Sequence, residues 1–191
     1  MYENNYKNPN DTGIVELEHF LNLIADLNEE IELFAMGGTA MLLKNIKQAT
    51  KDIDFMTTAN YEQIKRMFEL AGLEEKSTSQ VCNQWYMGEI RIDIFYNEFI
   101  IGIQLPDDWK ELSEQIRTID KLKLNILNWY DVIITKIARS ENRDIEDILA
   151  IIKKQDINLK KLEDRYYGIV ETALIKDYDY HFKHFKRCLN K

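Results

Sequence analysis

Residues 34–56, FAMGGTAMLLKNIKQATKDIDFM, hold a glycine pair at 37 and 38 and two aspartates, Asp52 and Asp54, on either side of one isoleucine. The alternation of Asp52 and Asp54 with apolar Ile53 and Phe55 predicts a half-buried strand. On a strand, residues i and i+2 leave the same face, so both acids project together while Ile53 turns to the core. Two carboxylates so placed repel each other, and burying them without a counter-charge costs several kcal/mol. A cation between them removes the conflict. Oxygen donors of this kind suit Mg²⁺, with Mn²⁺ as its substitute, because such ions take one or two carboxylates together with substrate phosphates.

The surrounding pattern extends this chemistry. Residues 31–36, IELFAM, form a short apolar run ending at glycines, which predicts a strand and then a tight turn. Gly37 and Gly38 allow backbone amides to approach a phosphate, and a helix opening at Thr39 offers it further N–H groups. Downstream, Asp93 stands alone between apolar neighbours in RIDIF, residues 91–95. If its strand lies beside that of Asp52 and Asp54, three carboxylates meet, as a two-metal phosphoryl-transfer site requires. An isolated Asp-x-Asp also occurs in metal-dependent glycosyltransferases. Those place it after a larger nucleotide-binding region, and only 51 residues precede Asp52.

Periodicity predicts an amphipathic helix over 13–28 and a helix capped by Asn60 that stops near Gly72. It predicts a hairpin over 84–96 turning near Gly88, short strands near 99–103 and 119–124, and a polar segment around 107–117. From Trp129 onward the spacing is helical, in four runs that include one from 159 to 175. The expected division is an α/β region with an N-terminal helix, 1–127, and a helical lobe, 128–191.

The net charge of −8 is unevenly spread. Residues 1–117 carry 10 Lys and Arg against 21 Asp and Glu, and residues 118–191 carry 15 against 12. An acidic balance is poorly suited to passive duplex binding, which rests on neutralising phosphates. It suits an enzyme whose metal ions bring the positive charge. Cys82 and Cys188 lack paired spacing, so neither a disulfide framework nor a zinc site is expected. No apolar run approaches a membrane span, and the polar start, MYENNYKNPNDTG, is unlike a secretion signal, so a cytoplasmic protein is expected.

An apolar strand, Gly-Gly-Thr, about a dozen residues, Asp-x-Asp on a strand and a third Asp on a later strand together resemble the polymerase-β-like nucleotidyltransferase superfamily. There the three acids bind metal. Lys136, Arg143, Asp144 and Asp147, in KIARSENRDIEDI, are similar to the Lys- and Asp-bearing helices of AbiEii-type toxin nucleotidyltransferases. The resemblance spans roughly residues 30–155. It implies an α+β fold with a mixed sheet flanked by helices, followed by a C-terminal helical lobe. It also implies Mg²⁺-dependent transfer of a nucleoside monophosphate from a nucleoside triphosphate such as ATP to a hydroxyl of RNA, protein or a small molecule. Asp52, Asp54 and Asp93 would hold metal, with Asp93 helping to take the acceptor's proton. Gly37, Gly38, Thr39 and Lys136 would hold phosphates, and Arg143, Asp144 and Asp147 would support the site. A cognate antitoxin is the partner that this likeness implies. The family often has serine where this chain has Gly38, which leaves Thr39 or the amides to supply the contact.

Several features admit plainer roles. Asp144 and Asp147, three apart, share a helix face and could simply pair with Arg143 or Lys154. Lys136 follows apolar residues and could pack its stem at a core edge. The aromatics between Tyr166 and Phe185 are expected to pack helices together. A non-catalytic nucleotide- or partner-binding module of the same fold is the alternative, although it has no need of three clustered acids.

Overall fold

A computed structural model describes residues 11–79, 81–96, 98–171, 173 and 175–189. The polar N-terminal reading falls largely outside these residues, as do positions 172 and 174 of the predicted 159–175 run. Among the described residues the fold is α+β, with a seven-stranded mixed sheet, seven helices and a separate two-stranded ribbon. Two compact units divide the chain: one from residues 1–97 and 115–125, the other from 98–114 and 126–191. Residues 98–114, expected in the first region, thus belong with the helices of the second unit. Their buried Ile100, Ile103, Leu105 and Trp109 supply apolar surface that the sequence around them does not advertise.

In the first unit, α1 (Ile14–Ala25) leads to β1 (Ile31–Ala35), α2 (Gly37–Leu43), β2 (Ile53–Thr57) and α3 (Tyr61–Leu70). Next come β3 (Glu74–Ser77), β4 (Cys82–Met87) and β5 (Ile90–Phe95), and later β8 (Glu114–Ile119) and β9 (Leu122–Ile126). The sheet order is β3-β4-β5-β2-β1-β9-β8. Strand β2 runs antiparallel to β1 and parallel to β5. The apolar sides of β2, β4 and β5 bear Phe55, Trp85, Ile92 and Ile94, all fully buried. Helices α1 and α3 pack on that side: Phe20 stacks on Phe55 with centroids 5.9 Å apart, and Phe68 meets Trp85 edge-on at 5.3 Å. Asn60 caps α3 as predicted, its Oδ1 accepting from Gln63 N at 2.9 Å.

Several elements differ from expectation. The polar segment expected around 107–117 runs into β8, and the strand expected near 119–124 holds the turn between β8 and β9. Helix α2 begins at Gly37, before the expected opening at Thr39, and ends at Leu43, where Asn45 takes a left-handed conformation, φ 53°, that closes the last turn. Strand β3, EEKS, was not anticipated. It is an exposed edge strand with no apolar alternation, and charged residues are the usual dress of an edge.

Among the described residues the second unit holds the ribbon β6 (Phe99–Ile100) and β7 (Ile103–Gln104), a 3₁₀ turn at Asp107–Trp109, and four helices. These are α4 (Trp129–Arg139), α5 (Asn142–Lys154), α6 (Leu159–Val170) and α7 (Tyr178–Leu189). Their core gathers Ile133, Ile137, Ile148, Ile151, Leu162, Tyr166, Phe182 and Phe185, so these aromatics pack helices as expected. Tyr166 stacks on Phe182 at 4.7 Å and donates its hydroxyl to the carbonyl of Tyr178. No helix among the described residues is long and apolar enough to cross a membrane.

Candidate active site

The site is built on the sheet face opposite α1 and α3. Because Ile53 and Phe55 are drawn to the helices, the pleat sends Asp52 and Asp54 the other way. Strands β2 and β5 pair in parallel with Asp54 opposite Asp93, so these two side chains stand on one face in adjacent strands. Asp52, two residues before Asp54, shares that face. Antiparallel β4 extends it with Gln84, which is paired to Asp93. The juxtaposition of the two acid-bearing strands is the one the sequence requires for a shared site.

The glycine turn meets this face directly. Gly37 has φ +54°, a conformation costly for other residues, and a Cβ there would lie 3.0 Å from Asp54 Oδ2. A Cβ on Gly38 would lie 2.1 Å from Thr50 Oγ1 and 2.8 Å from Thr50 Cβ. Thr39 is fully buried; its Oγ1 accepts from Asp54 N at 2.9 Å and faces the carbonyl of Asp52 at 3.5 Å. Its hydroxyl is thus directed at the backbone of the acid-bearing strand. The polar contact of the Gly-Gly-Thr turn is with its own chain, and it fixes where Asp54 sits.

Asp93 is 5% exposed. Burial pushes its carboxyl above the ordinary value; Arg91 acts to lower it, and Asp52 adds to the rise. Arg91 Nε donates to Asp93 Oδ1 at 2.8 Å and Nη2 to Oδ2 at 2.5 Å. The Asp93 hydrogen bond raises the already high pKa of that guanidinium, so the cation is permanent. Cys82 registers the same field. Burial, then Asp93 and Asp54, push its thiol up to about 12.

These oxygens fit a hard divalent cation in kind and in sharing one face. In their present positions no group of three or more His, Cys, Asp or Glu among the described residues could hold a metal ion. The positive group that Asp93 meets is Arg91. Sequence reasoning quoted Arg91 without giving it a role. Its two-residue offset from Asp93, which puts both on one strand face, was the available signal.

The remaining predicted residues lie in the second unit. Lys136 is 3% exposed, with Nζ 2.7 Å from Asp147 Oδ2 and 3.5 Å from Asp144 Oδ1. Arg139 completes the cluster, donating to both Asp144 oxygens at 2.9 and 2.6 Å. Burial acts to raise the Asp144 carboxyl, but Arg139, Lys136 and the Glu141 amide outweigh it and hold it below its ordinary value. Arg143 is instead exposed and pairs with Glu141 at 3.1 Å. A second cluster went unforeseen: fully buried Asp131 accepts from Arg165 at 2.6 and 2.8 Å, and Arg165 also reaches Asp108. A pocket of about 510 Å³ lined by Glu30, Glu32, Gln63, Lys121 and Lys123 opens at the far end of β1 and β2. It takes in none of the three acids.

A mixed sheet carrying a glycine turn and carboxylates on neighbouring parallel strands defines a nucleotidyltransferase-type fold. A family model described as "Nucleotidyltransferase of unknown function (DUF6036)" matches residues 13–190, and the chain belongs to that family. Among curated proteins none matches the sequence. Solved structures show the same fold at low identity. The crystal structure of ANT(2'')-Ia in complex with adenylyl-2''-tobramycin is similar at TM-score 0.59 and 16% identity, over 81% of this chain and 95% of that one. The lincosamide antibiotic adenylyltransferase LnuA, lincomycin-bound, gives 0.55 and 16%, over 74% and 98%. JHP933 from Helicobacter pylori gives 0.50 and 14%, over 91% and 89%.

Proposed function

We propose that the protein transfers a nucleoside monophosphate from a nucleoside triphosphate to an acceptor hydroxyl, with Asp52, Asp54 and Asp93 as the metal-binding acids. The observation that carries this reading is the parallel register of Asp54 with Asp93, with Asp52 on the same face. Mg²⁺ or Mn²⁺ bound there would offset the carboxylates and draw electron density from the phosphoryl group being transferred. Asp52 and Asp54 supply the outward oxygens. Asp93, held between apolar neighbours, takes the proton as the acceptor oxygen bonds to the α-phosphorus and pyrophosphate leaves. Without side chains, Gly37 and Gly38 let the turn pack against Asp54 and Thr50, and its backbone amides would meet a phosphate beside the acids.

The acceptor is a hydroxyl of a small molecule, RNA or protein. The structural neighbours bound to adenylyl-tobramycin and to lincomycin favour a small molecule, and the likeness to toxin enzymes favours a macromolecule with an antitoxin as partner. Incubation with each α-³²P-labelled nucleoside triphosphate, Mg²⁺ and total RNA, protein or metabolite extract separates these cases. Label should move to one fraction, and Asp54→Asn should abolish the transfer. Nucleotide binding without transfer to any fraction would instead favour the non-catalytic module.

A further inference from the structure

Arg91 stands two residues before Asp93 on β5, so the pleat turns both side chains to the acid face. Its guanidinium forks over the carboxylate and engages both oxygens. The Asp93 side chain is 7% exposed and that of Arg91 35%, so one end of the pair is fixed in the sheet while the other reaches solvent. A forked guanidinium and a metal ion compete for the same carboxylate lone pairs. Arginine cannot yield by losing its proton, so it must find another anion. A nucleotide phosphate offers the same forked geometry on the same face.

Resting on the nucleotidyl-transfer reading, we infer that Arg91 is a swinging residue: it latches Asp93 in the metal-free protein and passes to a phosphate of the nucleotide when the acids take up a divalent ion. Two effects of opposite sign follow. Divalent ion alone must displace Arg91 and so binds weakly. Nucleotide gives Arg91 a new partner, so metal and nucleotide strengthen each other's binding. A metal that bridges the phosphates couples the two ligands by itself, so the coupling that belongs to the swing is the share lost with Arg91.

The test uses the full chain, Mn²⁺ followed by electron paramagnetic resonance, and calorimetry with α,β-methylene-ATP, which cannot transfer its nucleotidyl group. Arg91→Met should bind Mn²⁺ alone about tenfold more tightly and the Mn²⁺–nucleotide about tenfold less tightly, with Arg91→Lys between. Asp93→Asn supplies a second route should Arg91→Met fold poorly. It loosens the latch while leaving Arg91 in place, so nucleotide binding in EDTA should tighten. That gain should vanish in the Arg91→Met/Asp93→Asn double variant, which separates it from the mere loss of a negative charge. Unchanged Mn²⁺ affinity in Arg91→Met, or a gain that survives in the double variant, overturns the swing. Should the wild-type chain bind neither Mn²⁺ nor the analogue, the nucleotidyl-transfer reading itself fails. Binding of both that Arg91→Met leaves untouched removes the swing alone.

Discussion

Thr39 Oγ1 accepts a hydrogen bond from the backbone N–H of Asp54 at 2.9 Å, joining the glycine turn to the acid-bearing strand across fifteen residues. Thr39 has no exposed surface, and the contact is shielded on its side. Thr39→Val keeps the shape and removes the acceptor. The Asp54 N–H is then left unmatched, at a cost of about 1–3 kcal/mol. Chemical denaturation should show that loss, and Thr39→Ser should recover most of it. A stability equal to wild type in Thr39→Val would mean that the bond contributes nothing to holding Asp54.

Gly38 faces Thr50 so closely that an added methyl would meet both Oγ1 and Cβ of that residue. Rotation of the hydroxyl alone does not clear the space, since Cβ moves only with the backbone. Gly38→Ala is therefore expected to destabilise the first unit by about 1–3 kcal/mol. Adding Thr50→Gly, which removes both obstructing atoms, should return most of the loss relative to Thr50→Gly alone. A double variant no better than the sum of the two singles would place the strain elsewhere.

The acid face was legible because it rests on local alternation. Asp52-Ile53-Asp54 and Ile92-Asp93-Ile94 each announce a strand with one polar side, and α1 and α3 only had to cover the other. Whether those strands were neighbours was not legible, since register is a long-range property. The partner of Asp93 was not legible for a different reason: an arginine two residues away shares the strand face, but its long side chain can as readily extend to solvent. Lys136, Asp144 and Asp147 came as a set from the resemblance to the toxin nucleotidyltransferases, and helical spacing related only Asp144 to Asp147. Their contacts with one another depend on how α4 and α5 pack, which no local pattern encodes. The ribbon β6–β7 was hardest, because two-residue strands carry too little periodicity to distinguish them from loop.

Asp54→Asn should abolish nucleotidyl transfer while leaving the fold intact. The substitution removes one of three anions on a common face, so thermal stability in EDTA should stay level or rise. Transfer assays and melting curves on the same preparation check both halves. A sharp fall in melting temperature would assign Asp54 to the fold.

Cys82 offers a chemical report on the acid face. With its thiol pushed up to about 12, the thiolate fraction at pH 9 is about one in a thousand, against about half for a thiol at the ordinary 9.0. Alkylation of Cys82 by iodoacetamide, followed by peptide mass spectrometry, should be slow at pH 9 and accelerate as pH rises toward 12. Asp54→Asn removes one of the charges that disfavour the thiolate, so labelling at pH 9 should quicken. Burial is the larger cause of the shift, so the gain should be partial. Labelling at pH 9 as fast as in a denatured control would contradict the half-buried, negative setting of this residue.

Lys136 and Asp147 decide what the second unit's charged cluster is for. The sequence pattern offered Lys136 as a phosphate contact, yet its ammonium is 2.7 Å from Asp147 and buried with Asp144. Removing one member of such a pair leaves the others uncompensated, a loss on the order of 3–5 kcal/mol. Lys136→Met is therefore expected to lower the stability of the helical unit strongly, and Lys136→Met/Asp147→Leu to recover part of the loss by replacing charge with apolar contact. Asp144 adds a pH dependence whose direction is fixed. Its folded pKa lies below the ordinary 3.8, so its contribution is fully present above about pH 4 and is lost as pH falls through the folded value. Denaturant titrations below pH 4 should show that loss in wild type and a shallower one in Arg139→Met, which removes a main cause of the depression. A Lys136→Met protein as stable as wild type, but with Mg²⁺–nucleotide affinity reduced about tenfold, would return this lysine to the phosphate role.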